Sequence, residues 1–250
     1  MSNSHGLAAP HHHDYDAAIA EPDLVKANEM HFDAQVHHGS ASPHSEVISR
    51  VVGEAILDAY DFIEEQTTVL EFACGADLFP EQGFVFQILA PHCKSVLGVD
   101  ISQGQVDEFN RRVENQGILP EEMKAIRGDL NGLGDIVGDI KFDLIFCASA
   151  YHHFSDIDAV TRGLAVFLKP QTGVLVVVDM LKTEHSASLH TSSKSSLSRQ
   201  TVAHHGGFEA EEIEANFKQA GLADFEMEIA FEKEKGDKKL VMFIASGRSS

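Results

Sequence analysis

Three groups of residues in this chain have types and spacing that could do chemistry. The first is "LEFACG", Leu70 to Gly75, where an apolar run ends at Glu71 and passes through Ala73, Cys74 and Gly75 in a tight turn. Such a turn brings backbone N–H groups close to a bound polar group, as glycine-rich nucleotide loops do. Here, however, Asp77 stands where a second glycine is due, and the next glycine is Gly83. The second group is Asp100, which closes the strand-like run "KSVLGVD". A carboxylate at that point can accept both hydroxyl groups of a ribose diol. The third is a set of histidines, His152 and His153 in "YHHF" and His204 and His205 in "VAHHGGF". Imidazole titrates near neutrality and can take up a proton or orient a substrate.

These residues need a scaffold, and the hydrophobic pattern supplies one. "TTVLEFA", "KSVLGVD", "MKAIRGD", "KFDLIFCASA" and "TGVLVVVDML" read as five short β-strands. Helical patterns separate them: "GFVFQILAPH" stopped by Pro91, "SQGQVDEFNRRVENQG" with Ser102 as N-cap and Gly117 as stop, and "DIDAVTRGLAVFLKP" closed by Pro170. Strands alternating with helices imply a parallel sheet covered on both faces. After a serine- and histidine-rich stretch over 183–207, read as a lid loop, "FEAEEIEANFKQAG" is an amphipathic helix with Phe208, Ile213 and Phe217 on one side. The last two strands, joined at "KGDK", form an antiparallel hairpin. Upstream, residues 1 to about 20 read as a flexible tail, a short helix spans 22–36, and a longer one runs from Ser45 to Phe62. The expected division is a tail and covering helix over 1–43 and one α/β domain over 44–250.

Composition narrows the partners. With 19 Lys and Arg against 39 Asp and Glu, the net charge is −20, which repels a polyanionic backbone and disfavours nucleic acid. The apolar runs fall short of a membrane span, and the polar N-terminus lacks the apolar core of a secretory signal, so a cytoplasmic, membrane-free protein is expected. Cys74, Cys93 and Cys147 share no metal-ligand spacing and lie in apolar contexts, as buried free thiols do. His11 to His13 fall in the tail, so no metal site is expected.

Three cofactors compete for the loop. A nucleoside triphosphate needs a GK[ST] after the glycine, which is missing. A nicotinamide cofactor wants GxGxxG, which one inserted gap does not restore. S-adenosylmethionine needs an acid-x-G-x-G turn, an acid after the second strand and an Asp-containing turn after the third; Glu71, Asp100 and "GDL" at Gly128 to Leu130 stand there. Over residues 44 to 182 the chain resembles the class I S-adenosylmethionine-dependent methyltransferases of small molecules. "VLEFACG", "SVLGVDIS", "RGDL", "FDLIFCASAYHHF" and "FLKPQTGVLVVVD" follow that family's motifs in order. The resemblance implies a Rossmann-like doubly wound sheet, mostly parallel, with an antiparallel C-terminal strand inserted and helices on both faces.

The resemblance also implies roles. Glu71, with the backbone of Ala73 to Gly75, would face the methionine moiety. Asp100 would take the ribose hydroxyls, Ile101 would pack on adenine, and Asp129 would accept from the adenine amino group beside Leu130. Cys147 and Ala148 would border the sulfonium. His152 and His153 follow strand four, where the methyl group should point, and are the candidate bases; the bland alternative packs one of them and lets the other cap the helix at Asp156. Tyr151, His204 and His205 are assigned to the substrate, and Tyr15 with the 22–36 helix to an N-terminal cover. "CASA" replaces the Asn/Asp-Pro-Pro-aromatic turn, which argues against methylation of planar amino groups on bases or glutamine.

Two departures carry weight. Ala73 replaces the first glycine, which is tolerable at negative φ. The larger one is the stretch Ala76–Gln82, read as an insertion that displaces the second glycine to Gly83. Gly75 and Asp100 are 25 positions apart, and removing the surplus of about six residues gives roughly 19, near the about 20 of dinucleotide-type units. The expected activity is methyl transfer to an O, N or S nucleophile on a small molecule. The rival is a non-catalytic relative whose widened loop no longer holds the cofactor.

Overall fold

The computed structural model describes residues 21–36, 43–75, 85–183, 200–235 and 238–250. Five strands, β1 (Thr68–Phe72), β2 (Ser95–Asp100), β3 (Met123–Arg127), β4 (Leu144–Ala148) and β5 (Val174–Met180), pair in parallel. Next, β7 (Lys238–Ser249) lies antiparallel to β5, and β6 (Leu222–Lys235) pairs antiparallel with β7 at the edge. The sheet order is β3-β2-β1-β4-β5-β7-β6. It is the mostly parallel, Rossmann-like sheet with an inserted antiparallel strand that the family resemblance implies, and its parallel part is the one the alternating pattern predicts.

Successive side chains on a strand point to opposite faces, and the core divides accordingly. Val69, Leu144, Phe146, Val174, Val176 and Val178 pack on one face against α2 (Pro43–Ala59), α3 (Val85–Leu89) and α4 (Gln103–Asn115). Leu70, Ile145, Cys147, Leu175 and Val177 pack on the other against α5 (Leu133–Val137), α6 (Ile157–Ala165) and α7 (Ala210–Gln219). All seven residues of β5 are buried, which is why it reads as an unbroken apolar run with one exception, Asp179.

The helix ends follow local chemistry. Ser102 caps α4 by accepting the Gln105 N–H at 3.2 Å, and Gly117, at φ 72°, ends that segment. Asp156 caps α6 by accepting the Ala159 N–H at 2.8 Å. Each buried aromatic anchor, such as Phe86 against Phe109, contributes about 1.5–3 kcal/mol of burial. Helix α5 has no counterpart in the sequence reading, because its five residues are too short to establish a period. Helix α1 (Glu21–Gln35) packs on α4. The order of the parallel strands reverses between β1 and β4, so a crevice opens beyond their carboxyl ends, where ligands bind in open α/β sheets.

Candidate active site

The end of β1 builds the floor of this crevice. Ala73 has φ 57° and Gly75 φ 49°, and the turn brings the Cys74 N–H to the Val99 carbonyl at 3.1 Å. The expectation of negative φ at Ala73 is therefore wrong. Turning the chain back onto β2 demands the left-handed conformation, which costs a residue with a Cβ about 1–2 kcal/mol. Close packing beneath also demands a glycine: a Cβ on Gly98 would lie 2.8 Å from Cys74 Sγ.

Asp100 ties the two strand ends together. Its Oδ2 accepts the Gly75 N–H and its Oδ1 the Ser102 N–H, each at 2.8 Å. Burial pushes its carboxyl up, the Asp33 charge adds to this, and N–H donors from Ser102, Gly75 and Ile101 offset only part of it. Asp100 and Gly75 face a cavity of about 610 Å³, within the usual range for small-molecule sites. Ala73, Ile101, Asp129 and Leu130 also line it. Asp129 accepts the Gly132 N–H on Oδ1 at 2.8 Å, and Leu130 packs so closely on α6 that a Cβ on Gly163 would lie 2.7 Å from its Cδ2.

Two residues assigned to the cofactor do not line this cavity. Glu71 is buried at the end of β1, and Cys147 is fully buried, leaving Ala148 and Ser149 as the β4 border. Strand alternation explains Cys147: its side chain points into the core beside Ile145. Burial, joined by the Asp179, Glu71 and Asp100 charges, pushes its thiol well up and keeps it unreactive. Gly83 and the Ala76–Gln82 insertion lie outside the described residues, as do Tyr15, His11 to His13 and residues 184–199 of the lid stretch.

Helix α1 roofs the cavity with Leu24, Asn28 and Phe32. Polar contacts hold it there. Asp33 Oδ1 accepts from Ser102 Oγ at 2.5 Å and from the Gly104 N–H at 3.1 Å, and Gln105 Nε2 donates to the Phe32 carbonyl at 2.9 Å. Glu29 pairs with Arg127, whose Nε donates to the Ile101 carbonyl at 3.0 Å.

The histidines separate by role. His153 lines the cavity with its ring edge on Phe32, and its Nδ1 is 2.6 Å from the Thr201 carbonyl. A carbonyl only accepts, so the proton sits on Nδ1 and a neutral His153 carries its basic lone pair on Nε2. His152 does not line the cavity. Its Nδ1 lies 2.9 and 3.1 Å from the two oxygens of Asp179, which also accepts the His152 backbone N–H at 3.1 Å and the Met180 N–H at 2.7 Å. Burial pushes the Asp179 carboxyl up, but the His152 charge and these hydrogen bonds outweigh it and hold it below the ordinary range.

The three substrate assignments also change. Tyr151 is fully buried, with Oη 3.0 Å from Thr161 Oγ1, because the turn after β4 points it into the core. His204 donates Nε2–H to the Phe154 carbonyl at 3.0 Å and stacks on Phe208, while His205 is exposed, and neither lines the cavity. The segment carrying them is docked: the N–H groups of Ala203 and His204 both bond the His152 carbonyl, at 2.9 and 3.0 Å.

Asp179 and Asn28 are the residues that sequence reasoning missed. For Asp179 a signal existed, since one carboxylate in the otherwise apolar "VLVVVDM" must find a buried partner. Among the described residues no group of three or more His, Cys, Asp or Glu is placed to hold a metal ion, and no helix is long and apolar enough to cross a membrane.

This sheet order with a cavity at the β1–β2 ends is the class I methyltransferase fold. Residues 69–171 match the methyltransferase-domain family. A methyltransferase of Schizosaccharomyces pombe, itself uncharacterised, is 38% identical over 166 residues, covering 64% of this chain and 55% of that protein. The Bacillus subtilis methyltransferase YcgJ, also uncharacterised, is 30% identical over 111 residues, covering 44% of this chain and 40% of that protein. The chain thus spans about half the length of the curated relatives it matches. The YcgJ crystal structure superposes with a TM-score of 0.61 at 18% identity, covering 80% of this chain and 98% of that one. Geranyl diphosphate C-methyltransferase from Streptomyces coelicolor, bound to Mg2+, geranyl diphosphate and S-adenosyl-L-homocysteine, also gives 0.61, at 13% identity over 91% of this chain and 98% of that one.

Proposed function

We propose that this protein transfers a methyl group from S-adenosylmethionine to a small-molecule acceptor bound between His153 and helix α1. The observation that carries this reading is the shared cavity, with the buried Asp100 carboxylate on its floor and His153 in its wall. The residues suit the cofactor. The Gly75 N–H reaches one Asp100 oxygen and the Ser102 N–H the other, and a carboxylate has lone pairs enough to accept a ribose diol as well. Ile101 and Leu130 offer apolar surface to a purine, and Asp129 an acceptor. S-adenosylmethionine supplies an electrophilic methyl on a sulfonium.

The protein's own part is positioning and exclusion of water, which dominate catalysis of an in-line displacement. Helix α1 closes the cavity above the strand ends, and Phe32, Phe72 and Phe154 give its acceptor end an apolar, aromatic wall. His153 Nε2 is the group to accept the proton that an O–H, N–H or S–H nucleophile gives up. Among the described lining residues Arg112 is the one Lys or Arg, and it pairs with Glu108 at 2.6 Å. Asp100, Asp129, Asp156 and Glu108 set an acidic field around it, so a neutral or cationic acceptor suits the site better than an anionic one.

Calorimetric titration with S-adenosylhomocysteine tests the cofactor assignment. The folded protein should bind it, and Asp100→Ala should weaken binding by about 1–3 kcal/mol, the scale of lost hydrogen bonds to a charged acceptor. Failure of the folded wild-type protein to bind would favour the non-catalytic alternative. Binding of NADH in its place would indicate an oxidoreductase.

A further inference from the structure

Asn28 stands in the cavity wall on α1, outside the segment that matches the methyltransferase domain. It is 5% exposed, and its Nδ2 donates to the Leu24 carbonyl one turn back at 3.0 Å. That carbonyl can only accept, so the amide nitrogen must face it and the orientation of the amide is fixed. The other end of the amide, Oδ1, is sealed from bulk water and accepts no hydrogen bond from any described residue. A buried acceptor with no donor carries a desolvation cost, and such atoms in folded proteins call for an explanation. Among the described residues the packing of α1 provides none, and the helix is already held by Glu29, Phe32 and Asp33.

The position of Asn28 indicates what would satisfy it. The neighbouring Glu29 pairs with Arg127, which bonds the Ile101 carbonyl, and Asp33 bonds Ser102 and Gly104. This part of α1 therefore lies over the end of β2, above Asp100 and Ile101. Phe32, one turn further along, marks the His153 end of the cavity. A turn of helix is about 5.4 Å, so Asn28 is displaced by that distance towards the nucleoside side. We infer that Asn28 Oδ1 accepts a hydrogen bond from the adenosine half of bound S-adenosylmethionine, so that α1 carries part of the cofactor site. The inference rests on the cofactor assignment above. Asp100 would hold the nucleoside from the floor and Asn28 from the roof.

Calorimetry on wild-type protein, Asn28→Leu and Asn28→Ala with S-adenosylhomocysteine and with 5′-methylthioadenosine tests this, alongside thermal melts without ligand. The wild-type titration alone decides the cofactor assignment, and the variants decide the role of Asn28. Both variants should raise Kd for both ligands by at least about tenfold. Ligand-free Asn28→Leu should melt no lower than wild type, because an unmet acceptor is replaced by apolar atoms of similar shape. Unchanged Kd values in a folded variant would overturn the inference. So would a loss confined to S-adenosylhomocysteine, which would move the contact to the amino-acid end. Should Asn28→Leu fail to fold, Asn28→Ala gives the same readings.

Discussion

Substituting Asn for Asp179 separates the support of the site from its surface. The Asp179 carboxylate is fully buried and receives three donors: the His152 ring through Nδ1, the His152 N–H and the Met180 N–H. An asparagine of the same shape can keep its oxygen towards Met180 and the ring. Its amide nitrogen then faces the His152 backbone N–H, a donor against a donor. Orphaning that buried N–H costs about 1–3 kcal/mol, and losing charge on the histidine hydrogen bond adds about 1 kcal/mol. Removing a buried charge returns part of this. The net expectation is a loss of about 2 kcal/mol, or a melting temperature about 4–8 °C lower for a protein of this size.

The effect should extend to the segment that hangs on the His152 carbonyl, so amide exchange at Ala203 and His204 should quicken in Asp179→Asn. The dependence on pH is also defined. The Asp179 carboxyl is held below its ordinary value in the folded protein. Its stabilising contribution is therefore complete above the unfolded value of about 4 and is lost as the pH falls through the depressed folded value. On the acid side the gap in melting temperature between wild type and variant should close only below about pH 4. A variant melting within about 1 °C of wild type, with unchanged exchange at those two amides, would refute the reasoning.

Two further outcomes concern the cavity. His153→Ala should lower the rate of methyl transfer to an O–H or N–H acceptor by about 10²–10⁴-fold, the scale of a lost general base, while S-adenosylhomocysteine binds unchanged. An unaltered rate would remove His153 from proton transfer. Replacing Ala76–Gln82 by one threonine should preserve S-adenosylhomocysteine binding if Gly83 is the displaced glycine of the first loop, and abolition of binding in folded protein would defeat the insertion hypothesis.

Where side-chain pattern decides structure, the sequence was readable. The five parallel strands, the Ser102 cap and the terminal hairpin each depend on neighbours within a few residues or on a period of two. The place of Asp100 in the cavity lining was legible because a carboxylate at a strand end in this topology faces the crevice. Tyr151 and His152 were misread because "YHHF" offers three polar groups in a row, and only the turn after β4 decides which of them reaches the cavity. The answer, His153, depends on the Thr201 carbonyl 48 positions away.

The opening motif shows the same division. Local sequence determined that a strand ends near Glu71 and turns through Ala73 to Gly75, and that a carboxylate closes the next strand. Periodicity and end signals act over single turns of chain, so they can be read without a fold. Only the tertiary structure decided that Ala73 takes positive φ, that Cys147 faces the core, that Asp179 grips His152 and that Asn28 roofs the cavity. Each of these is a contact between segments far apart in the chain. The free energy that selects them comes from burial and hydrogen bonding across that distance, which no local pattern encodes.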